Sequence, residues 1–264
     1  MKLNLEDCKV LVTGGSDGIG RAMALAFAGE GARVAVCARS QAGLDKLKNE
    51  MSGQGHIFKT ADLTKVSDVE SLHATILEQW GGLDVLVNNV GAIQKMGTFL
   101  DLTDEDWREV FDINLLSAVR VLRLFIPELR KSSAPSIINI SSIAAVRPEE
   151  VFPHYSAMKA GLSNLTASLS QTLAGDGIRV NTISPGPVWS RSWENEALAV
   201  AQETGKKLET VREEFRAGSA ERIPLKRMGE PEDLSGLVLL LASQSSAWIT
   251  GSNFTVDGGI VRNL

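Results

Sequence analysis

From Lys9 onward the chain repeats one pattern: a short run of β-branched and aliphatic residues, then a segment whose apolar residues recur at helical spacing. "KVLVTG" precedes a predicted helix over about 19–30, "RVAVCAR" one over 41–52, "HIFKTAD" one over 67–80, and "LDVLVNNVG" a long one over about 104–131. "SIINISS" leads to a helix over about 155–174 and "IRVNTISPG" to a polar stretch; a helix over 231–242 then precedes the last strand, "NFTVDGG". Strands that alternate with helices are joined by right-handed crossovers, so they lie parallel in one sheet covered on both faces. Parallel strands buried on both sides also read as nearly unbroken apolar runs, as these do. The prediction is an α/β fold, a doubly wound parallel sheet of about seven strands, in a single domain spanning 1–264.

The alternation fails once, over about 190–222, "SRSWENEALAVAQETGKKLETVREEFRAGSAER". A long, charged, irregular connection in a compact α/β domain is read as a lid or substrate loop, with Gly205 and Gly218 near its helical parts.

Composition excludes several classes. Hydrophobic residues at 44% and charged residues at 22% describe a globular chain, and a formal charge of -5 gives no basic footprint for nucleic acid or an anionic membrane surface. The longest apolar stretch, "LSGLVLLLAS", is far short of the ~20 residues that cross a bilayer. The amino terminus runs from polar residues into a strand with no signal-peptide pattern, so a cytoplasmic location is expected. Cys8 and Cys37 fall in strand-like runs and read as small buried hydrophobes. His56, His73 and His154 are scattered without ligand spacing, so no metal site is predicted.

The first strand enters "TGGSDGIGRAMALAF", with glycines at 14, 15, 18 and 20 and helical periodicity immediately after. A sharp strand-to-helix turn needs residues without a Cβ penalty, and glycine lets backbone N–H groups approach a diphosphate at the positive end of the helix. The GxxxGxG spacing is one residue off the usual dinucleotide fingerprint, but strand, turn, helix and second strand supply the Rossmann-type context. Gly14, Ser16, Asp17, Gly18, Ile19 and Gly20 are therefore assigned to a nicotinamide dinucleotide. The second strand ends "VCARS": Ala38 stands where an acid would hold a ribose 2′-hydroxyl, and Arg39 follows, which favours NADP(H) over NAD(H). Asp17 is the opposing signal, since it could lie near the same phosphate and repel it.

In "HYSAMKAG" the chain's one tyrosine, Tyr155, is followed at i+4 by Lys159, on the same helical face. Together with "TGGSDGIG", "NNVG", Asn114, "INISS" ending at Ser142, "SPGPVWS" and "ITGSNFTVDGG", in this order over nearly the whole chain, the sequence resembles the short-chain dehydrogenases/reductases, on the 3-oxoacyl-carrier-protein reductase side. The resemblance implies an NAD(P)-dependent alcohol dehydrogenase or ketoreductase acting on a small carbonyl or alcohol. Chemistry agrees: hydride transfer at carbon must be matched by a proton on the adjoining oxygen, and an ammonium near a phenol of pKa ~10 favours the phenolate. Tyr155 is then the general acid/base and Ser142, at the end of the fifth strand, the donor to the substrate oxygen. The resemblance implies that Lys159 also holds the nicotinamide ribose and that Asn114 holds a water linking Lys159 to solvent. It further assigns Asp62 and Leu63 to the adenine, Asn89 and Gly91 to the adenosine side, and Pro185, Gly186, Val188 and Ser190 to the nicotinamide end. Val90 and Ser190 depart from the family's usual alanine and threonine.

The substrate pocket is expected between 92–98, 143–154 and the insertion, with Trp189, Trp193 and Phe152 as apolar surface and Arg147, Glu149 and Glu150 as polar groups. A Ser142–His154 hydrolase lacks a GxSxG elbow, and His154 reads as a rim residue. An epimerase or dehydratase of sugar nucleotides, or a non-catalytic NAD(P)(H) sensor, shares the fold and stands as the alternative. A homotetramer through the helices over 104–131 and 155–174 and the carboxyl-terminal segment is what the resemblance implies.

Overall fold

A computed structural model describes residues 2–262. Seven strands form one wholly parallel sheet: β1 (Lys9–Thr13), β2 (Arg33–Ala38), β3 (Ile57–Thr60), β4 (Val85–Asn88), β5 (Ser136–Ile140), β6 (Arg179–Pro185) and β7 (Asn253–Val256). Their order is β3-β2-β1-β4-β5-β6-β7. The chain winds outward from β1 to β3 and then crosses to β4 on the other side. That reversal opens a crevice at the carboxyl ends of β1 and β4, where such sheets bind ligands.

The two-residue period of the strands sends alternate side chains to opposite faces. Val10 and Val12, Val34 and Val36, and Val85 and Val87 pack with Met23, Phe27, Leu44, Val238 and Leu241 on one face. Leu11, Ala35, Leu86 and Ile137 pack with Leu72, Ile76, Phe125 and Leu129 on the other. The helices behind these contacts are α1 (Gly18–Gly29), α2 (Gln41–Glu50), α3 (Val66–Trp80), α4 (Asp104–Phe111), α5 (Ser117–Leu129), α6 (Pro153–Thr172) and, after two more described below, α9 (Ser235–Ala242). Their starts are written locally. Asp17 caps α1 by accepting from Gly18 N–H at 2.8 Å, and Ser40 caps α2 by accepting from Gly43 N–H at 3.1 Å. Thr103 and Asp106 close a reciprocal box on α4.

Four expectations are corrected. The helix over 104–131 is not uniform: a π-helical turn, Asp112–Leu116, separates α4 from α5, and the last turn ends at Leu129. The stretch over 190–222 is not irregular but a helical hairpin, α7 (Arg191–Thr204) and α8 (Leu208–Arg222), with Gly205 left-handed at φ +71° as the stop of α7. Its two helices bury Ala197 and Val211, set Trp193 edge-on to Phe215, and share the Arg212–Glu194 ion pair. The segment 231–242 opens with a 3-10 turn, Pro231–Leu234, before α9. Cys8 lies just ahead of β1 and is only half-buried, whereas Cys37 in β2 is buried; both thiols are pushed up to about 12, chiefly by burial.

Candidate active site

All the residues assigned above to the cofactor line one cleft of about 940 Å³ at the carboxyl ends of the strands, and Ser142 lines it with them. Only Asn114 stands behind the wall. The cleft begins at the turn after β1. Gly14 and Gly18 hold φ of +64° and +53°, and a Cβ on Gly18 would meet nothing within 4 Å, so the backbone here is open to a ligand. Gly20 serves the opposite need: a Cβ there would lie 2.4 Å from Asn89 Nδ2 and 2.5 Å from the Gly14 carbonyl oxygen. The Asn89 amide donates to the carbonyls of Thr13 and Gly14 at 2.9 and 3.2 Å, tying the end of β4 to the turn. The Thr13 hydroxyl, not singled out from the sequence, accepts from Asn89 N–H at 2.9 Å and so fixes the same junction. A cradle open at Gly18 and crowded at Gly20 at the start of a helix fits a dinucleotide diphosphate. Arg39 is exposed at the end of β2, and Asp62 faces it after β3. Burial raises the Asp62 pKa, but hydrogen bonds from Thr64, with Lys65 and Arg39 nearby, outweigh it and hold the carboxyl below its usual range.

At the other end, β5 stops at Ile140 and α6 passes over it. Lys159 is buried and donates from Nζ to the Ile140 carbonyl at 2.9 Å, with Nζ 5.6 Å from the centre of the Tyr155 ring. Ser141, the neighbour of Ser142, donates to the Lys159 carbonyl at 2.9 Å, and Ser163 donates to Ser141 Oγ at 2.9 Å. Deeper in, Asn88, Asn139, Thr166 and Thr182 form a buried hydrogen-bonded chain across β4, β5, β6 and α6, each link 2.8 Å. Sequence reading missed these positioning groups; the clue is the run of small polar residues in "INISS" and along α6, on surfaces that should otherwise be apolar.

Asn114 is fully buried within the π turn. It accepts from Ala92 N–H at 3.0 Å and donates to the carbonyls of Ala92 and Val110 at 2.9 and 3.0 Å. A Cβ on Gly91 would lie 2.7 Å from Lys159 Nζ and 2.8 Å from Asn114 Oδ1, so both atoms sit over that glycine. π-helical turns of this kind recur at functional sites.

These distances decide what the pair can do. Burial pushes the Tyr155 phenol up to about 12, against the pull of a hydrogen bond with Ser142, and brings the Lys159 ammonium down to about 8. In the protein without cofactor, burial outweighs the lowering expected from Lys159. Lys159 is buried and Tyr155 half-buried, and desolvation disfavours the charged form of each.

A family model described as enoyl-(acyl carrier protein) reductase matches residues 14–261. The chain is 34% identical over 266 residues to the "uncharacterized oxidoreductase YvrD" of Bacillus subtilis, covering 100% of each. It is 33% identical to the 3-oxoacyl-[acyl-carrier-protein] reductase FabG of Thermotoga maritima, covering 98% of this chain and 100% of the relative. The chain belongs to the short-chain dehydrogenase/reductase family. The solved L-sorbose reductase of Gluconobacter frateurii, complexed with NADPH and L-sorbose, superposes on this dehydrogenase/reductase with a TM-score of 0.92 at 30% identity, covering 100% of both chains.

Around Tyr155, the dehydrogenase/reductase lines the cleft from the three segments expected to bound a substrate pocket. Ile93 and Met96 come from the first, Arg147, Glu149 and Phe152 from the second, Trp193 and Glu196 from α7. Trp189 and Glu150 are not among the lining residues. Trp189 instead stacks on Trp193, at 6.4 Å and 20°, under the Arg216 guanidinium, and so backs the wall. His154 corrects the rim expectation. It is wholly buried, its ring edge-on to Trp107 of α4. α6 turns this side chain inward because it lies one position, about 100° of helix, from Tyr155, which faces the cleft. Among the described residues no helix is long and apolar enough to cross a membrane.

Proposed function

We propose that this oxidoreductase transfers hydride between NADP(H) and a carbonyl or secondary alcohol, with Tyr155 as general acid/base, in a single dinucleotide-binding domain whose lid is 190–222. The observation that carries the reading is that Tyr155, Ser142 and Lys159 line the same cleft as the glycine turn. Bound NADP(H) supplies or accepts the hydride. Ser142 donates to the substrate oxygen, and Tyr155 gives or takes its proton. Lys159 sets the charge beside the phenol and holds the ribose; Asn114, sharing Gly91 with Lys159, holds the water that returns protons. Arg39, with no acid at Ala38, supports the 2′-phosphorylated cofactor, as does the NADPH bound by the L-sorbose reductase.

The pocket's mixture of Phe152 and Trp193 with Arg147, Glu149 and Glu196 supports a small polar carbonyl, and the sugar substrate of the sorbose reductase makes polyhydroxylated ketones the first compounds to test. A cytoplasmic homotetramer is the accompanying proposal. Trp248, fully exposed in the carboxyl-terminal segment, and Phe111, exposed at the end of α4, support it. Reduced-nicotinamide absorbance, followed with a panel of ketones, sugars and alcohols, tests the reading. Turnover abolished by Tyr155→Phe upholds it; binding of cofactor with no turnover of any compound replaces it with the sensor.

A further inference from the structure

The phosphate turn contains one residue of the wrong sign for an anionic cofactor, Asp17, and the lid brings the group that corrects it. Asp17 is fixed at the head of α1 by its bond from Gly18 N–H. Its other carboxylate oxygen lies 3.4 Å from Nε of Arg191, the first residue of α7, and both side chains line the cleft. The turn abuts the end of β2: a Cβ on Gly43 would come within 3.1 Å of Ser16 Cβ, and Gly43 belongs to the first turn of α2, just past Arg39. Asp17 thus stands on the side of the cleft where Arg39 would meet a 2′-phosphate, and Arg39 already faces Asp62. Lys65 and Arg39 both act on Asp62, so the carboxylate left to disfavour a second phosphate is that of Asp17. Arg191 balances it, and among the described residues its terminal nitrogens make no other hydrogen bond or ion pair, which leaves donors for a phosphate oxygen.

We propose that Arg191 is a cofactor-selectivity residue: it neutralises Asp17 from the lid and so lets the turn accept the 2′-phosphate of NADP(H). The inference rests on the nicotinamide-cofactor reading above, and it makes the lid part of the cofactor site.

Direct titration of the whole protein with NADPH and with NADH, followed by calorimetry and by fluorescence of the tryptophans, tests it without recourse to turnover. Trp193, two residues after Arg191 and facing the cleft, reports locally. Arg191→Gln is expected to weaken NADPH about five-fold, the upper range for an exposed ion pair, with NADH changed by less than about two-fold. Asp17→Asn in the same chain keeps a good helix cap and is expected to restore NADPH affinity. The difference between wild type and Arg191→Gln should shrink as salt is raised. Undiminished NADPH affinity in Arg191→Gln, equal losses for both cofactors, or no rescue by Asp17→Asn would each overturn the proposal. Wild type that binds neither cofactor would instead overturn the nicotinamide reading itself. Both positions are exposed, so a circular-dichroism spectrum matching wild type is expected for every variant.

Discussion

The Lys159 ammonium is bonded to the Ile140 carbonyl at 2.9 Å while lying 5.6 Å from the centre of the Tyr155 ring. Lys159 is therefore held by the end of β5, and its charge reaches the phenol through space without a direct hydrogen bond. That arrangement keeps the cation in place whether the phenol is protonated or not, which an acid/base group working in both directions requires.

Replacement of Tyr155 by phenylalanine removes the transferable proton and little volume. Turnover should fall at least ~10²-fold, within the usual range for losing a general acid/base, while NADPH affinity stays within a few-fold of wild type. Ser142→Ala should cost ~10²-fold in kcat by removing a donor to the developing oxyanion. Steady-state kinetics beside direct cofactor titration check both.

The two directions of catalysis should respond oppositely to pH. Carbonyl reduction needs the neutral phenol and the charged lysine, both present below about 8, the value to which burial brings Lys159. Its kcat/KM should be level near neutrality and decline above that point. Alcohol oxidation needs the phenolate, which burial opposes up to about 12, so its rate should climb with pH through the alkaline range. A profile in which Lys159→Met leaves both curves unchanged would contradict this assignment.

His154 should make the protein acid-sensitive. Its pKa is lowered from 6.5, first by burial, with the nearby Lys95 acting in the same sense and the Phe152 carbonyl and Asp106 opposing. The folded chain thus prefers the neutral ring, whereas the unfolded chain takes up a proton as pH falls below 6.5. Stability present above that pH is lost progressively below it, the sign expected when the unfolded state binds more protons. His154→Leu should flatten the fall in Tm between about pH 6.5 and 5, a window set by the ordinary histidine pKa. Thermal melts across that window decide it.

Gly20 and Gly18 should differ under substitution by alanine. At Gly20 the new carbon would press on Asn89 Nδ2 at 2.4 Å and on the Gly14 carbonyl at 2.5 Å, so a loss of ~1–3 kcal/mol is expected, as for overpacking elsewhere. At Gly18 there is room, but φ of +53° strains any side chain, and the new carbon would point into the open cradle. Gly18→Ala should therefore weaken cofactor binding more than it lowers Tm. Denaturant melts and NADPH titrations of the two variants separate the effects.

The alternating strands and helices, the glycine turn and the Tyr155–Lys159 spacing are local patterns, and each is legible in the sequence because backbone sterics and side-chain periodicity act over a few residues. From them follow the parallel sheet, the family and the position of the cleft. Other features arise only when distant segments meet. Asn114 faces Ala92 across the wall, His154 is sealed against Trp107, and Arg191 reaches Asp17 from 174 positions along the chain, counting 191 minus 17. The phenol's pKa belongs with these: an i+4 lysine favours a lowered value, whereas burial of the phenol raises it to about 12. Spacing records which side chains share a helical face. Desolvation and long-range pairing depend on what packs around that face, and only the tertiary structure decides that.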